Sequence, residues 1–505
     1  MEIVCYILFL MCDRFDTTTS EDEIPVGKRR TFMKLFRKEG LIAICLCISM
    51  VAGCSAKDDR SNGSEATSET SASAPAETQP TEETVYVHGE DGYFSQIDNG
   101  ISTPVQDQGY TPHCWAYATF DVLRLTNQTI YGEDIDPEVF DITDLRVLAY
   151  GEKDEGVRIM EGSHVNDVAG GSDMYITWMM TNGYQGYTVI ENPTLVNCDI
   201  SENEDDPLMT NAATLDQIKE MLRTKGALPI VLSGGAGRIN YKDYALVNDD
   251  NSLGLANENG GIKESHCGHE ALIVGYDDNF PKEYFGQYGH RTPSIDGAWL
   301  YKESSGETWG DGGYAWVSYE SSFVVDGYIV LSQDYSKVLS YENSVIQGVN
   351  TGDKTTVANV WHDSGKLAAV GTYVGVSDEL SDNLYGMKDE DDTITIKVMD
   401  EDMTEVLAEK TVTFDFDGYY VVELDEPVEV DGFSVVVTYS GNAPFESESL
   451  GQIRSSLEYY TTAEKGQTFI MIDGQWYDTS EASTSELLGI EEVLNNAGIK
   501  ALFVD

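Results

Sequence analysis

Cys114 has the sequence surroundings of a chemically reactive thiol. The residues from Cys114 onward recur with a helical period that no breaker interrupts before Gly132. Irregular backbone is expected before it, because Pro104, Gly109 and Pro112 punctuate that segment. Cys114 is therefore predicted at a helix N-terminus, where the helix dipole and free backbone N–H groups lower the pKa of a thiol. The expected chemistry is nucleophilic attack by a thiolate.

Two further residues complete this predicted chemistry. Gln108 lies on the short segment before Cys114 and could place its side-chain amide beside the Cys114 backbone N–H, giving a tetrahedral oxyanion two donors. His269 opens an apolar, strand-like run. His113 and His266 are other candidates for the base, but neither begins such a strand. His269 is therefore the predicted base, with His266 as the second choice.

The segments around these residues resemble the papain-like cysteine peptidases. The family signature has a Gln six residues before a Cys-Trp pair, and Gln108 stands six residues before Cys114-Trp115. The family also has its histidine six residues before a Gly-Tyr pair, and His269 stands six residues before Gly275-Tyr276. A third segment, 297–314, is similar to the family's closing strand and turn through Trp309-Gly310 and Gly313-Tyr314. The resemblance implies an α+β, two-lobed catalytic domain that hydrolyses peptide bonds.

The same resemblance assigns further roles, and it implies a mechanism that needs no cofactor or metal. It implies that Gly170, Gly171 and Trp309 contribute to substrate binding. The separation of Cys114 from His269 exceeds the usual ~130–150 residues. Insertions are therefore predicted at 197–208 and 248–261, as surface loops near the cleft.

The sequence departs from the family at the group that holds the imidazole. Glu303 stands where the family has Asn, and Ser305 where it has the Trp that shields the Asn–His bond. A glutamate can still accept the imidazole N–H, and it favours the protonated ring more than an amide does. Glu303 is therefore predicted to orient His269. The usual residues just before the nucleophile, including a disulfide cysteine, are also replaced.

The region after about residue 336 changes to short alternating strands. They are predicted at 357–361, 367–374, 393–398, 405–414, 419–424 and 433–439, a pattern typical of an all-β sandwich. Residues 340–440 resemble the lectin-like domain of some bacterial surface peptidases, and the tail is expected to complete a sheet. The acidic cluster 389–392 is interpreted as a solvated loop rather than a calcium site.

The N-terminal region predicts export and anchoring. Residues 33–53 resemble a lipoprotein signal peptide that ends before Cys54, the predicted lipidation site, and 1–32 are interpreted as a spurious extension. The polar segment 54–84 is predicted to be a disordered tether. The remaining boundaries are 85–335 for the peptidase domain, expected to fold by itself, and 336–505 for the lectin-like domain.

Composition narrows the possible partners. The chain has 505 residues, with 31 basic and 88 acidic side chains and a net charge of −57, which argues against nucleic-acid binding. The predicted function is an exported cysteine endopeptidase, lipid-anchored at the extracellular face of the cell membrane. The alternative is a catalytically weakened protein that binds a surface glycan or protein. A Cys-His-carboxylate transglutaminase shares the residue order but does not suit the Gln108-to-Trp115 signature.

Overall fold

The structure is a computed structural model. It describes residues 87–89, 91–109, 113–136, 180–183, 186–193, 214–233, 239–240, 245–246, 268–285, 292–319, 324–325, 327–342, 347–376, 392–446, 463–490 and 494–505. The predicted signal peptide, Cys54, the tether, both insertions, Gly170, Gly171 and His266 lie outside these ranges. Residues 84–505 form one compact unit.

The described residues contain three α-helices and twenty strands. In chain order they are β1 (Tyr93–Ser95), α1 (Cys114–Tyr131), β2 (Thr188–Pro193), α2 (Leu215–Thr224), β3 (Leu228–Ser233), β4 (Ile239–Asn240), β5 (Ala245–Leu246), β6 (Gly268–Asp277), β7 (Ala298–Lys302), β8 (Tyr314–Ser318), β9 (Val324–Val325), β10 (Val330–Ser332), β11 (Lys337–Ser340), β12 (Gln347–Val349), β13 (Thr355–Val374), β14 (Asp392–Asp400), β15 (Val406–Phe414), β16 (Gly418–Tyr439), β17 (Ala443–Phe445), β18 (Thr468–Ile472), β19 (Gln475–Asp478), α3 (Ala482–Leu488) and β20 (Ile499–Val504).

The first sheet belongs to the N-terminal part of the unit. Its strand order is β4-β5-β8-β7-β6-β3-β9, with β1 also paired to β6. All described pairs are antiparallel except β5 with β8. The central strands β6 and β7 are mostly buried, and their antiparallel pairing sets the start of β6 beside the end of β7. This arrangement places the ends of two rigid strands next to each other.

Helix α1 is buried over most of its length. Its residues from Trp115 to Thr126 are almost all buried, so it serves as a central packing element rather than a surface helix. It ends as predicted at Gly132, whose left-handed φ of 73° lets its N–H bond the Gln128 carbonyl. Helix α2 begins with a capping box between Thr214 and Gln217 and packs on the first sheet.

The second sheet is built on two long strands, each of which the sequence pattern predicts as two shorter strands. The strands predicted at 357–361 and 367–374 are both parts of β13, and those at 419–424 and 433–439 are both parts of β16. Residues between them look like turns in the sequence but stay in the ladder, because register shifts after Trp361 and Leu367 absorb the irregularity.

The long strands form a sandwich because their two halves face each other. The first half of β13 pairs with β18 and with the end of β16, which continues to β14 and β15. The second half pairs with β20, so the tail completes a sheet as predicted. One core contains Val357 and Val435 from the first half together with Val370 and Phe503 from the second. The all-β sandwich is confirmed.

The sandwich shares a sheet with the peptidase part. Strand β2 pairs with the start of β16, and β10 pairs with the other edge of β2. Val370 and Val422 point into the sandwich core, whereas Tyr373 and Tyr419 belong to the core that contains α1. Strand pairing therefore continues across residue 336. The predicted α+β, two-lobed papain-like fold followed by a β-sandwich is confirmed as a fold class.

Candidate active site

Cys114 is the first residue of α1, as predicted. It is a free thiol and is partly buried. The residue before it, His113, has φ −110° and ψ 21°, and its side chain does not cap the helix. The helix therefore presents its positive dipole end to the thiol.

His269 lies near the start of β6 and contacts the thiol. Burial alone would raise the pKa of Cys114, but hydrogen bonds with His269 and with the Glu270 backbone lower that pKa below its ordinary value. Burial alone would lower the pKa of His269, but its contacts with Cys114 and Glu303 raise it to about 10. This arrangement favours a thiolate beside an imidazolium.

Glu303 holds the other side of the imidazole. It directly follows β7, and the antiparallel pairing of β7 with β6 brings it beside His269. His269 Nε2 lies 2.7 Å from Glu303 Oε1 and 2.9 Å from Oε2. Because Nε2 faces the carboxylate, Nδ1 is the ring nitrogen left for Cys114. The side chain of Glu303 is fully buried.

Gln108 is fastened to the loop that follows Glu303. Its backbone N–H donates to the Ser304 carbonyl at 2.8 Å, and its side-chain Oε1 accepts the Ser304 hydroxyl. Asp107 and Ser305 form a β-bridge beside it. The structure thus links the Gln108 segment to the strand end that carries Glu303. Because the Ser304 hydroxyl donates to Oε1, this hydrogen bond uses the oxygen of the Gln108 amide and not its N–H₂ group.

The structure places Trp309 beside the site but against Tyr301. The two ring centroids are 5.8 Å apart, and Trp309 packs on the core beneath the first sheet. No contact in the described residues tests its predicted role in substrate binding. Gly170, Gly171 and the second-choice base His266 are not described.

Sequence reasoning missed two groups of residues around Glu303. Tyr301 and Ser305 both donate hydroxyl hydrogen bonds to its carboxylate. Below them, Lys302 forms a buried ion pair with Asp121 of α1 and donates to Thr103. The signal for Tyr301 was its position two residues before Glu303, which puts both side chains on one face of an extended segment. Nothing local in the sequence indicates the pairing of Lys302 with Asp121.

The described part of the chain shows no group of His, Cys, Asp and Glu side chains arranged to hold a metal ion. Among the same residues, no helix is both long and apolar enough to span a membrane.

Comparisons with known proteins agree with this fold. Residues 340–501 match the family model for the lectin-like domain. The whole described unit has the fold of a papain-like cysteine protease joined to a lectin-like domain. That combination appears in the cysteine protease and lectin-like domains of Cwp84, a surface-layer-associated protein of Clostridium difficile, at 18% identity and a TM-score of 0.57. The match covers 82% of this chain and 89% of that one.

Two further matches are also cysteine proteases of low sequence identity. The clostridial cysteine protease Cwp84 after propeptide cleavage gives 19% identity and a TM-score of 0.56, covering 81% of this chain and 98% of that one. A probable cysteine protease, RDL4 of Arabidopsis thaliana, is 22% identical over 260 residues, which is 47% of this chain. The match spans 60% of that relative's length. At these identities the likeness establishes the fold.

Proposed function

We propose that this protein is a cysteine endopeptidase in which Cys114 is the nucleophile and His269 the acid and base. The observation that carries the proposal is the continuous contact from Cys114 through His269 to the buried carboxylate of Glu303, in which the thiol pKa is lowered and that of the imidazole is raised to about 10. Such perturbed pairs are typical of functional sites. The substrates we propose are proteins or peptides.

The proposed mechanism uses side chains and backbone of this chain alone. The Cys114 thiolate attacks the carbonyl carbon of the scissile bond, and the resulting oxyanion accepts hydrogen bonds from the Gln108 amide and the Cys114 backbone N–H. His269 gives its Nδ1 proton to the leaving amine, which leaves a thioester on Cys114. His269 then accepts a proton from water, and the hydroxide releases the carboxylic acid and restores the thiolate.

Glu303 has an orienting role in this proposal. Its carboxylate accepts a hydrogen bond from the Nε2–H of His269 and keeps Nδ1 directed at Cys114. Its negative charge also stabilises the imidazolium, which a neutral amide does less well. We therefore propose that the change from Asn to Glu leaves a working Cys-His-Glu triad.

Export and anchoring are part of the same proposal. A charged segment followed by a 13-residue apolar run, 41–53, supports secretion, and Cys54 at its end supports lipid attachment. One acyl chain gives only marginal membrane binding, so we expect at least two on Cys54. The active domain would then work at the extracellular face of the membrane.

A second candidate function rests on the lectin-like domain. The family-model match at 340–501 is compatible with a glycan ligand, and Glu303 and Ser305 depart from the usual peptidase pattern. In this alternative the peptidase fold is a scaffold for surface binding.

The deciding experiment combines labelling with hydrolysis. We expect an epoxide-type cysteine-peptidase inactivator to label the wild-type protein once and to leave Cys114→Ala unlabelled. We also expect the wild-type protein to cleave a mixed peptide library that Cys114→Ala leaves intact. An unlabelled wild-type protein that binds immobilised glycans would instead favour the second candidate.

A further inference from the structure

Donors surround the Glu303 carboxylate in a nearly symmetric way. The Tyr301 hydroxyl donates to Oε2, and the Ser305 hydroxyl donates to Oε1 at 3.1 Å. The remaining donor, His269 Nε2, lies 2.7 and 2.9 Å from the two oxygens. Each oxygen therefore has one hydroxyl of its own and a share of the imidazole N–H. This pattern suits an ionised carboxylate, which accepts at both oxygens.

Tyr301 can act only as a donor in this arrangement. Its side chain is completely buried, with its ring against Trp309. Burial and the adjacent charge of Glu303 raise the pKa of Tyr301 well above its ordinary value, so the hydroxyl keeps its proton. The Glu303 side chain is equally buried, so bulk solvent does not surround the carboxylate.

The charge of the His269–Glu303 pair depends on where their shared proton resides. A buried carboxylate that loses a donor is costly as an anion. Moving the proton from His269 to Glu303 neutralises both groups and relieves that cost. The imidazolium beside Cys114 would then be lost, and the thiolate with it.

We propose that Tyr301 and Ser305 are positioning residues that keep Glu303 ionised and so keep the proton on His269. The inference rests on the proposed function, because it concerns the same thiolate–imidazolium pair. It explains how a carboxylate can work where the resembling family has an amide. It also assigns a purpose to Ser305, which stands where that family has a shielding Trp.

Other titratable groups also surround Glu303. Those that face it or share the small cavity of about 10 Å³ on its far side are Cys114, Tyr117 and Asp121 of α1, His269 and Glu270 of β6, and Tyr301 and Lys302 of β7. Lys302 and Asp121 are paired with each other. Tyr301→Phe and Ser305→Ala change no formal charge in this set, so a changed pH dependence reports the lost hydroxyl.

The test measures the rate of Cys114 alkylation by iodoacetamide against pH, with Cys114→Ala subtracted as background. The rate follows the thiolate fraction and needs no peptide substrate. We expect Tyr301→Phe to move the rising limb upward by about one pH unit, the size expected for one hydrogen bond to a charged group. Ser305→Ala should move it in the same direction by less, because its bond is longer.

Repeating the measurement in a Glu303→Gln protein isolates the proposed cause. Glutamine at position 303 cannot take the proton from His269, so Tyr301→Phe should cause no further shift when combined with Glu303→Gln. Tyr439→Phe is the matched control, since it removes a buried hydroxyl that bonds Thr372 in the sandwich. We expect its alkylation profile to coincide with that of the wild-type protein.

The outcomes separate this inference from the proposed function. A wild-type thiol that titrates like an ordinary cysteine contradicts the proposed function itself. A wild-type thiol of low pKa whose profile is unchanged by both Tyr301→Phe and Ser305→Ala overturns only the role of the hydroxyls. An equal shift in the Glu303→Gln background would also overturn it. If Tyr301→Phe does not fold, Ser305→Ala with and without Glu303→Gln decides alone.

Discussion

Among the residues that the structure describes, two buried cations pair with a glutamate, and the two pairs behave differently. His269 and Glu303 lie at the ends of two strands, where His269 also contacts the Cys114 thiol. Lys500 and Glu342 lie where β20 and the end of β11 meet, and both side chains are essentially unexposed. In the first pair the contacts outweigh burial, and the pKa of His269 rises to about 10. In the second pair burial dominates, lowering the pKa of Lys500 and raising that of Glu342.

The difference follows from the number and kind of partners. His269 has two potentially anionic neighbours, the thiolate and the carboxylate, so its charge is favoured despite burial. Lys500 contacts one carboxylate, that of Glu342, and its other hydrogen-bond partners are neutral: Asn182 at 2.9 Å and Ser340 at 3.1 Å. The charge of Glu446 also raises the pKa of Lys500, but less than Glu342 does, and complete burial outweighs both. In the proposed mechanism, the first pair keeps a charge available for chemistry. The second joins the sandwich to residue 182 of the peptidase part, which suggests a structural role.

The largest effect is expected when the sandwich is removed from the peptidase part, to which Lys500 helps to connect it. The sequence suggests that residues 85–335 fold by themselves, but β2 pairs with β16 and Tyr419 fills the core around α1. We therefore predict that 85–335 alone gives no cooperative thermal unfolding transition and no inactivator labelling, while 85–505 gives both. Circular dichroism melts of the two proteins test this. A cooperative, labelled 85–335 would show that the shared sheet is dispensable.

A smaller loss is expected when the structural pair is broken. Lys500→Met leaves Glu342 buried without its cation and should lower the free energy of unfolding by about 3–5 kcal/mol. Adding Glu342→Gln should restore much of the lost stability, because both side chains are then neutral and no unpaired charge is left buried. Urea titration of the two variants measures both values. If Lys500→Met alone is neutral, the pair is not essential to the joined lobes.

Changing Glu303 should affect activity rather than stability. Glu303→Ala should reduce kcat/KM by roughly 10²–10⁴-fold, as orienting residues do in comparable triads, and Glu303→Asn by clearly less. The alkaline limb should also move down in both, because Glu303 helps raise the pKa of His269 to about 10. Rates of peptide hydrolysis between pH 5 and 11 test this. Superimposable profiles for wild type and Glu303→Ala would remove Glu303 from the mechanism.

The same histidine gives a pH dependence of stability with a definite sign. Its pKa in the folded protein is raised above the ordinary 6.5. The protonated form therefore stabilises the fold fully below pH 6.5, and this contribution is lost as the pH rises through about 10. His269→Ala should flatten the unfolding free energy over that window relative to wild type, as measured by urea titration at several pH values. A parallel pair of curves would contradict the raised pKa.

The sequence was informative where function depends on local spacing. Cys114 at the start of a helix and His269 at the start of a strand were both predicted from neighbouring residues, and Glu303 from a matching segment. The positions of the C-terminal strands were also predicted well. Residues 362–366 were misleading, because an Asp-Ser-Gly sequence looks like a turn, whereas the long ladder tolerates it as an irregularity.

Non-local pairings were beyond sequence reasoning. Strand β2 meets β16 more than two hundred residues later, and no local pattern specifies that partner. The buried ion pair of Lys302 with Asp121 likewise joins residues 181 positions apart in the sequence. Such contacts depend on the whole packed unit, which a single sequence does not display.

The most direct test of the account is the ionisation of Cys114. Thiolate absorbance near 240 nm, followed against pH as the difference between wild type and Cys114→Ala, reports that residue alone. We predict a midpoint clearly below the ordinary value of about 8.5, and a return towards that value in His269→Ala. A wild-type midpoint at or above the ordinary value, unchanged in His269→Ala, would contradict the thiolate–imidazolium pair on which the proposed function depends.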